Sequence, residues 1–285
     1  MTTVILKMKN DLIKKKFAGS VYLRELCTIL DFFVDCALEI PGLHKNPNML
    51  KYSVKAISES GQMDIATAAD LYVQDKLKKS VPPRWQFWGE EGVDNIARID
   101  QGKDFLFITD PIEGTGNFQK GTDDWGSVVA LVDIRTGKPV IGIVADPTKG
   151  KFYVGVASSG TCVLDSAGNV SAFPKPVAKF TFNNSPHFSS ELSDKVERFL
   201  KLKKRGTFVD LESGALEAVL YKGSVFFKTS NEMAAVFVIV SELGGKVTDG
   251  SGNDWQLGVN SMVCARKRND YDYLFELYVK SSKSK

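Results

Sequence analysis

Asp110 and Glu113 lie close together in the stretch Phe105-Leu-Phe-Ile-Thr-Asp-Pro-Ile-Glu-Gly-Thr-Gly-Asn-Phe118, with the Thr115 hydroxyl just behind them. Phe105 to Ile108 is an apolar run of strand length. Pro111 ends the regular ladder through its fixed φ, and Gly114 lets the backbone turn tightly. Two carboxylates therefore leave the end of one strand together. Acidic groups crowded beside a buried strand repel one another, and a cation between them relieves the repulsion. Donors that are all oxygen suit Mg²⁺ or Mn²⁺ better than zinc.

A second acidic strand end precedes this one. Trp85-Gln-Phe-Trp88 reads as a strand closing on Gly89, with Glu90 and Glu91 at its tip. Alone, such a pair reads as surface charge; the acidic strand end that follows gives it weight. Glu232 is the third candidate. It opens a stretch, Met233 to Leu243, that leaves almost no polar face and so reads as a buried helix, closed by Gly244-Gly245. A helix N-terminus stabilises a carboxylate by roughly 0.3–1 kcal/mol, too little to offset the burial of an unpaired charge. Glu232 is therefore an ordinary helix-start charge, a group in a solvent-filled cleft, or a ligand to a cation.

The elements that must position these groups follow from periodicity. Residues 20–40 have apolar positions at helical spacing (Leu23, Leu26, Leu30, Phe33) and stop at Pro41-Gly42. Residues 43–62 read as a loop, and Met63 starts a second helix that runs through Lys79. Beyond the central stretch, 127–133, 140–145 and 151–157 read as strands joined by tight turns, which makes the first half α+β with largely antiparallel pairing. Around 165–178 the chain turns rich in Gly, Ser and Pro, a boundary between a lobe of residues 1–165 and a smaller one of 166–285. In the second lobe strands (180–182, 207–209, 225–227) alternate with helices (191–202, 214–221, 232–243), an α/β pattern with parallel pairing. Trp85 and Trp88 read as core aromatics, His44 and His187 as surface or structural, Lys120 and Lys228 as solvated lysines, and Asn117 as a turn former.

With 285 residues, 43% of them hydrophobic and 25% charged, the chain can bury a sizeable core, and its net charge of +3 is too small to argue for a nucleic-acid polymer as partner. Cys27, Cys36, Cys162 and Cys264 form no C-x-x-C pair and read as reduced thiols. No apolar run reaches spanning length and no signal-peptide layout opens the chain, so no stable membrane insertion and a cytoplasmic location are expected. Lys7, Lys9, Lys14, Lys15 and Lys16 against Asp11 read as a partly ordered arm with a solvated basic face, with a surface-lying amphipathic helix as the alternative.

Four segments in order resemble the inositol monophosphatase family of lithium-sensitive phosphatases, which includes fructose-1,6-bisphosphatases and 3′(2′),5′-bisphosphate nucleotidases. They are Met63-Asp-Ile-Ala-Thr-Ala-Ala-Asp70, Gly89-Glu-Glu91, Asp110-Pro-Ile-Glu-Gly-Thr-Gly-Asn-Phe118, and Glu232 to Gly245. The resemblance implies a layered αβαβα sandwich and a phosphomonoesterase acting on a small polyol, sugar or nucleotide phosphate. It implies Mg²⁺ as cofactor, with Mn²⁺ as the substitute, and a homodimer. Glu90, Asp110 and the Ile112 carbonyl would hold a first metal; Asp110, Glu113 and Glu232 would hold a second. Thr115 paired with Asp70 would orient the attacking water. Gly114, Thr115 and Ser213 would bind the phosphate. The family's usual Asp is Glu113 here and its Trp-Asp is Asn231-Glu232, as in class II fructose-1,6-bisphosphatases, where Glu occupies the corresponding places. A phosphatase homologue that only binds phosphorylated ligands is the alternative of another class.

Overall fold

The computed structural model describes residues 11–57, 63–91, 99–123, 125–173, 183–184, 218–222, 231–259, 261–269, 271–272, 275–276 and 279. Its helices include α1 (Leu23–Leu43), α2 (Ala68–Ser80), α3 (Thr115–Gln119) and α4 (Asn231–Glu242), and residues 11–16 are helical as well. A hairpin, β1 (Tyr52–Ile57) with β2 (Met63–Thr67), precedes α2. A seven-stranded sheet runs in chain order from β3 (Trp85–Gly89) and β4 (Phe105–Glu113) through β5 (Gly126–Asp133), β6 (Lys138–Asp146), β7 (Lys151–Val156) and β8 (Gly160–Asp165) to β9 (Val170–Ser171). β3 and β4 pair in parallel, and every later pair is antiparallel. A second sheet has the order β10 (Asn183–Asn184), β11 (Ala218–Lys222), β13 (Ser261–Ala265), β12 (Lys246–Thr248).

Both faces of the large sheet are covered, which is why its central strands read as unbroken apolar runs. On one face Leu26, Ile29 and Phe33 of α1 and Leu77 of α2 pack against Phe107, Leu131, Ile143 and Val154. On the other, Met233 to Val236, Ile239 and Val240 of α4 pack against Leu106, Ile108, Ala130 and Val144, and against Val247, Met262 and Cys264 of the second sheet. Thr248 points away from α4 and its hydroxyl meets the Tyr271 hydroxyl at 2.7 Å, so the helical residues near 271 begin a fifth layer. The order is α, β, α, β, α, as the family resemblance implies.

The sequence reading needs four corrections. α1 runs through Pro41 to Leu43, because a proline two residues from a helix end forfeits little of the ladder. Residues 52–57 are a strand, and 63–67 are its partner and not helix; long-range pairing decided a stretch whose local pattern was ambiguous. The helix starts at Ala68 because Thr67 and Asp70 form a reciprocal capping box. Residues 218–221, expected in a helix, lie in β11, which pairs antiparallel to β13, so parallel pairing in the second sheet is confined to β10–β11. The expected elements at 180–182, 191–202, 207–209 and 225–227 lie outside the described residues. α4 is as expected, and it ends where Gly244, at φ +78°, lets the Gly245 N–H reach the Val240 carbonyl.

α4 rests on bare backbone. A Cβ at Gly142 of β6 would stand 2.4 Å from the Ala235 carbonyl oxygen, and one at Gly155 of β7 would stand 2.9 Å from the Ile239 Cα. The helix thus crosses the strands from β7 over β6, which directs its first turn towards β5 and β4. Gly142→Ala should lower stability by about 1–3 kcal/mol, the usual cost of overpacking a core. The thermal midpoint of the purified variant checks this.

Candidate active site

The site grows from the end of β4. Asp110 is 2% exposed, and its Oδ1 accepts the Ile112 N–H at 3.0 Å, which folds the chain back on itself after Pro111. Against β5, Asp110 pairs with Val128 and Glu113 with Gly126, so β4 has one residue more than its partner: a bulge that redirects the strand. Gly114 then takes φ +87°, a conformation that costs side-chain-bearing residues energy, and α3 starts at Thr115.

Parallel pairing sets Glu90 beside Asp110. Gly89 is in register with Thr109, and the Glu90 N–H donates to the Thr109 carbonyl at 3.0 Å. Asp110 lies two positions after Ile108 in β4, so strand alternation aims its carboxylate to the face that α4 covers. Asp70 arrives from α2. Its Oδ2 accepts the Thr67 N–H at 2.8 Å and also the Thr67 hydroxyl, while its Oδ1 lies 3.3 Å from the Thr115 hydroxyl. That hydroxyl is also 3.0 Å from the Ile112 carbonyl, so one proton serves two acceptors and both lone pairs of Thr115 Oγ1 remain to accept. Asp70, Thr115, Ile112 and Asp110 are therefore brought together, with Glu90 adjoining. Glu113 is half-buried at the bulge. The backbone of Glu232 lies in the first turn of α4, its side chain is outside the described set, and Ser213 lies outside it altogether.

Lys55, on β1, is the group that sequence reasoning missed. Its Nζ lies 2.6 Å from Glu90 Oε1 and 3.1 Å from Glu91 Oε1. The residue would have stood out only if 52–57 had been seen as a strand. The burial of the neighbouring carboxyls shows in their proton affinities. Burial, reinforced by the Glu90 charge, pushes Glu91 up to about 8 against the pull of Lys55. Burial raises Asp70 to about 6, opposed by its hydrogen bonds from Thr67. Among the described residues no three His, Cys, Asp or Glu side chains enclose an ion by themselves. The donor chemistry nonetheless fits a hard divalent cation, since the groups are all oxygens and crowd more negative charge than Lys55 offsets. Of the other residues singled out, Trp85 and Trp88 are buried in the core, His44 packs edge-on against Phe118, Lys120 is exposed, and Asn117 helps close the turn after α3.

Glu91 sets a pH dependence. Its folded-state pKa lies above the unfolded one, so its proton stabilises the fold at low pH and that contribution is lost as pH rises through about 8. Between pH 5 and 8 the metal-free protein should lose stability relative to Glu91→Gln, with a slope of at most about 1.4 kcal/mol per pH unit, the limit for one proton. Thermal melts of both proteins in chelator across that range check it.

Residues 43–283 match the model of the inositol monophosphatase family. Inositol monophosphatase 2 of Saccharomyces cerevisiae is 26% identical over 239 residues, which is 75% of this chain and 78% of that protein. The bifunctional phosphatase IMPL2 of Arabidopsis thaliana, described as chloroplastic, is 24% identical over 224 residues, 75% of this chain. The match spans 62% of that relative's length, less than two thirds of it. Among solved structures, the IMPase of Thermotoga maritima superposes with a TM-score of 0.67 at 19% identity, covering 89% of this chain and 98% of that one, a likeness of fold. With nearly the whole chain beyond α1 matched, this protein belongs to the inositol monophosphatase family.

Proposed function

We propose that this chain is a metal-dependent phosphatase that hydrolyses the phosphate monoester of a small polyol, sugar or nucleotide, with an inositol-monophosphatase-type activity. The observation that carries the reading is the Asp70–Thr115 pair standing beside two carboxylate-tipped strands in a chain of this family. Glu90, Asp110 and the Ile112 carbonyl are the residues that would hold one divalent cation. Asp110, Glu113 and Glu232 would hold a second, so the site draws on both sides of the boundary near 165. Magnesium is the cation we infer, with manganese as its substitute. Bound there, a divalent cation lowers the pKa of water and neutralises charge on the phosphate.

The chain's own residues do the positioning. Thr115 Oγ1 donates its single proton to Asp70 or to the Ile112 carbonyl, which leaves its lone pairs to accept a water O–H and fix that water's direction. Asp70 is itself fixed by the Thr67 N–H and hydroxyl, so the pair is rigid before substrate arrives. The backbone N–H groups of Gly114 and Thr115, together with Ser213, are the phosphate contacts in this reading. The same reading includes a homodimer, as the family resemblance implies. It also includes residence in the cytoplasm, supported by four cysteines present as thiols. Among the described residues no helix is long and apolar enough to cross a membrane.

Phosphate release from inositol 1-phosphate, fructose 1,6-bisphosphate and adenosine 3′,5′-bisphosphate, with and without Mg²⁺, tests the function. Release should require the metal, favour the inositol ester, and fall about 10-fold or more in Glu113→Gln. Preference for one of the other two esters would move the substrate assignment to that class. Binding of a phosphate ester with no release under Mg²⁺ or Mn²⁺ would make the chain a ligand-binding homologue.

A further inference from the structure

Gln74 lies on α2 one helical turn after Asp70, 9% exposed, and belongs to none of the roles above. Its side-chain amide pairs reciprocally with the backbone just beyond β3. Nε2 donates to the Glu91 carbonyl at 2.5 Å, and Oε1 accepts the Glu91 N–H at 2.8 Å. The amide also lies flat against Gly89: a Cβ there would stand 2.0 Å from Oε1 and 2.1 Å from Cδ. Glu90 is thus gripped from both sides. Its own N–H is tied to Thr109 of β4, and the residue after it is tied to α2.

We propose that Gln74 is the positioning residue that fixes the Gly89–Glu90–Glu91 turn and so presents the Glu90 carboxylate to the cation; this rests on the reading above that Glu90 is a metal ligand. An amide meets both needs of the position, a donor to the Glu91 carbonyl and an acceptor for the Glu91 N–H. Glutamate at 74 would offer two acceptors and lose the donor to the Glu91 carbonyl. Methionine would keep the volume and leave both backbone groups unpaired. Because α2 also carries Asp70, one helix then sets both the group behind the water-directing hydroxyl and the turn that carries a metal donor. Outer-shell partners of this kind typically govern metal affinity by 10- to 100-fold.

Calorimetric titration of the chelator-stripped protein with Mg²⁺ tests this without depending on turnover. Gln74→Met and Gly89→Ala should each raise the magnesium Kd about 10-fold or more. The second removes no hydrogen-bonding group and merely pushes the amide aside, so it carries the test even if the first does not fold. The double variant should bind no more weakly than the worse single one, and saturating magnesium should bring phosphate release in Gly89→Ala back towards wild type. A magnesium Kd within about twofold of wild type in folded Gly89→Ala would make Gln74 a packing residue only and overturn the proposal. A wild-type chain that takes up no magnesium would instead overturn the reading of Glu90 as a ligand, and this proposal with it.

Discussion

Two parallel strands that end side by side, each in a carboxylate, create an electrostatic problem that the surrounding structure is arranged to contain. Glu90 and Asp110 cannot move apart, because the ladder between β3 and β4 fixes their backbones. Glu91 and Asp70 bring two more carboxyl groups to the side that α2 packs on, and burial raises the proton affinity of both. Lys55 compensates in part, reaching in from the hairpin. The rest of the balance falls to protons or to cations, and an all-oxygen donor set favours hard divalent ones.

The fold supplies the rigidity this arrangement needs. The large sheet is covered on both faces, so its central strands have no freedom to slide without exposing one core or the other. The bulge after Asp110 and the left-handed turn at Gly114 convert that fixed strand into a fixed helix start at Thr115. α2 closes the arrangement through its capping box, which turns a local helix-start signal into a mount for Asp70. Local conformational preference and charge placement coincide here, which is what makes the geometry reproducible.

Much of this was legible before any coordinates. The Asp110 to Thr115 stretch carried its own punctuation in Pro111 and Gly114, and the apolar helix from Met233 could only be buried. What escaped the sequence depended on partners distant in the chain. Residues 52–57 sit in a longer stretch, 43–62, that reads as a loop, and become a strand only against 63–67, so Lys55 stayed hidden. The start of α2 was readable from Thr67 and Asp70 but was masked by apolar residues just ahead, whose spacing suits helix and strand alike. β11 was misread for the same reason: a run containing Ala, Val, Leu and Tyr is decided by the neighbour it meets, here β13.

The seating of α4 on Gly142 and Gly155 has a consequence for how mutations at a distance are felt. A helix whose height above a sheet is set by main chain touching main chain behaves as a beam on two supports, and its free end projects towards the strands that carry Asp110. Raising either support by one methyl group would tilt the beam and carry Glu232 with it. The placement of that helix start is therefore governed from the middle of the sheet, by positions that bear no charge.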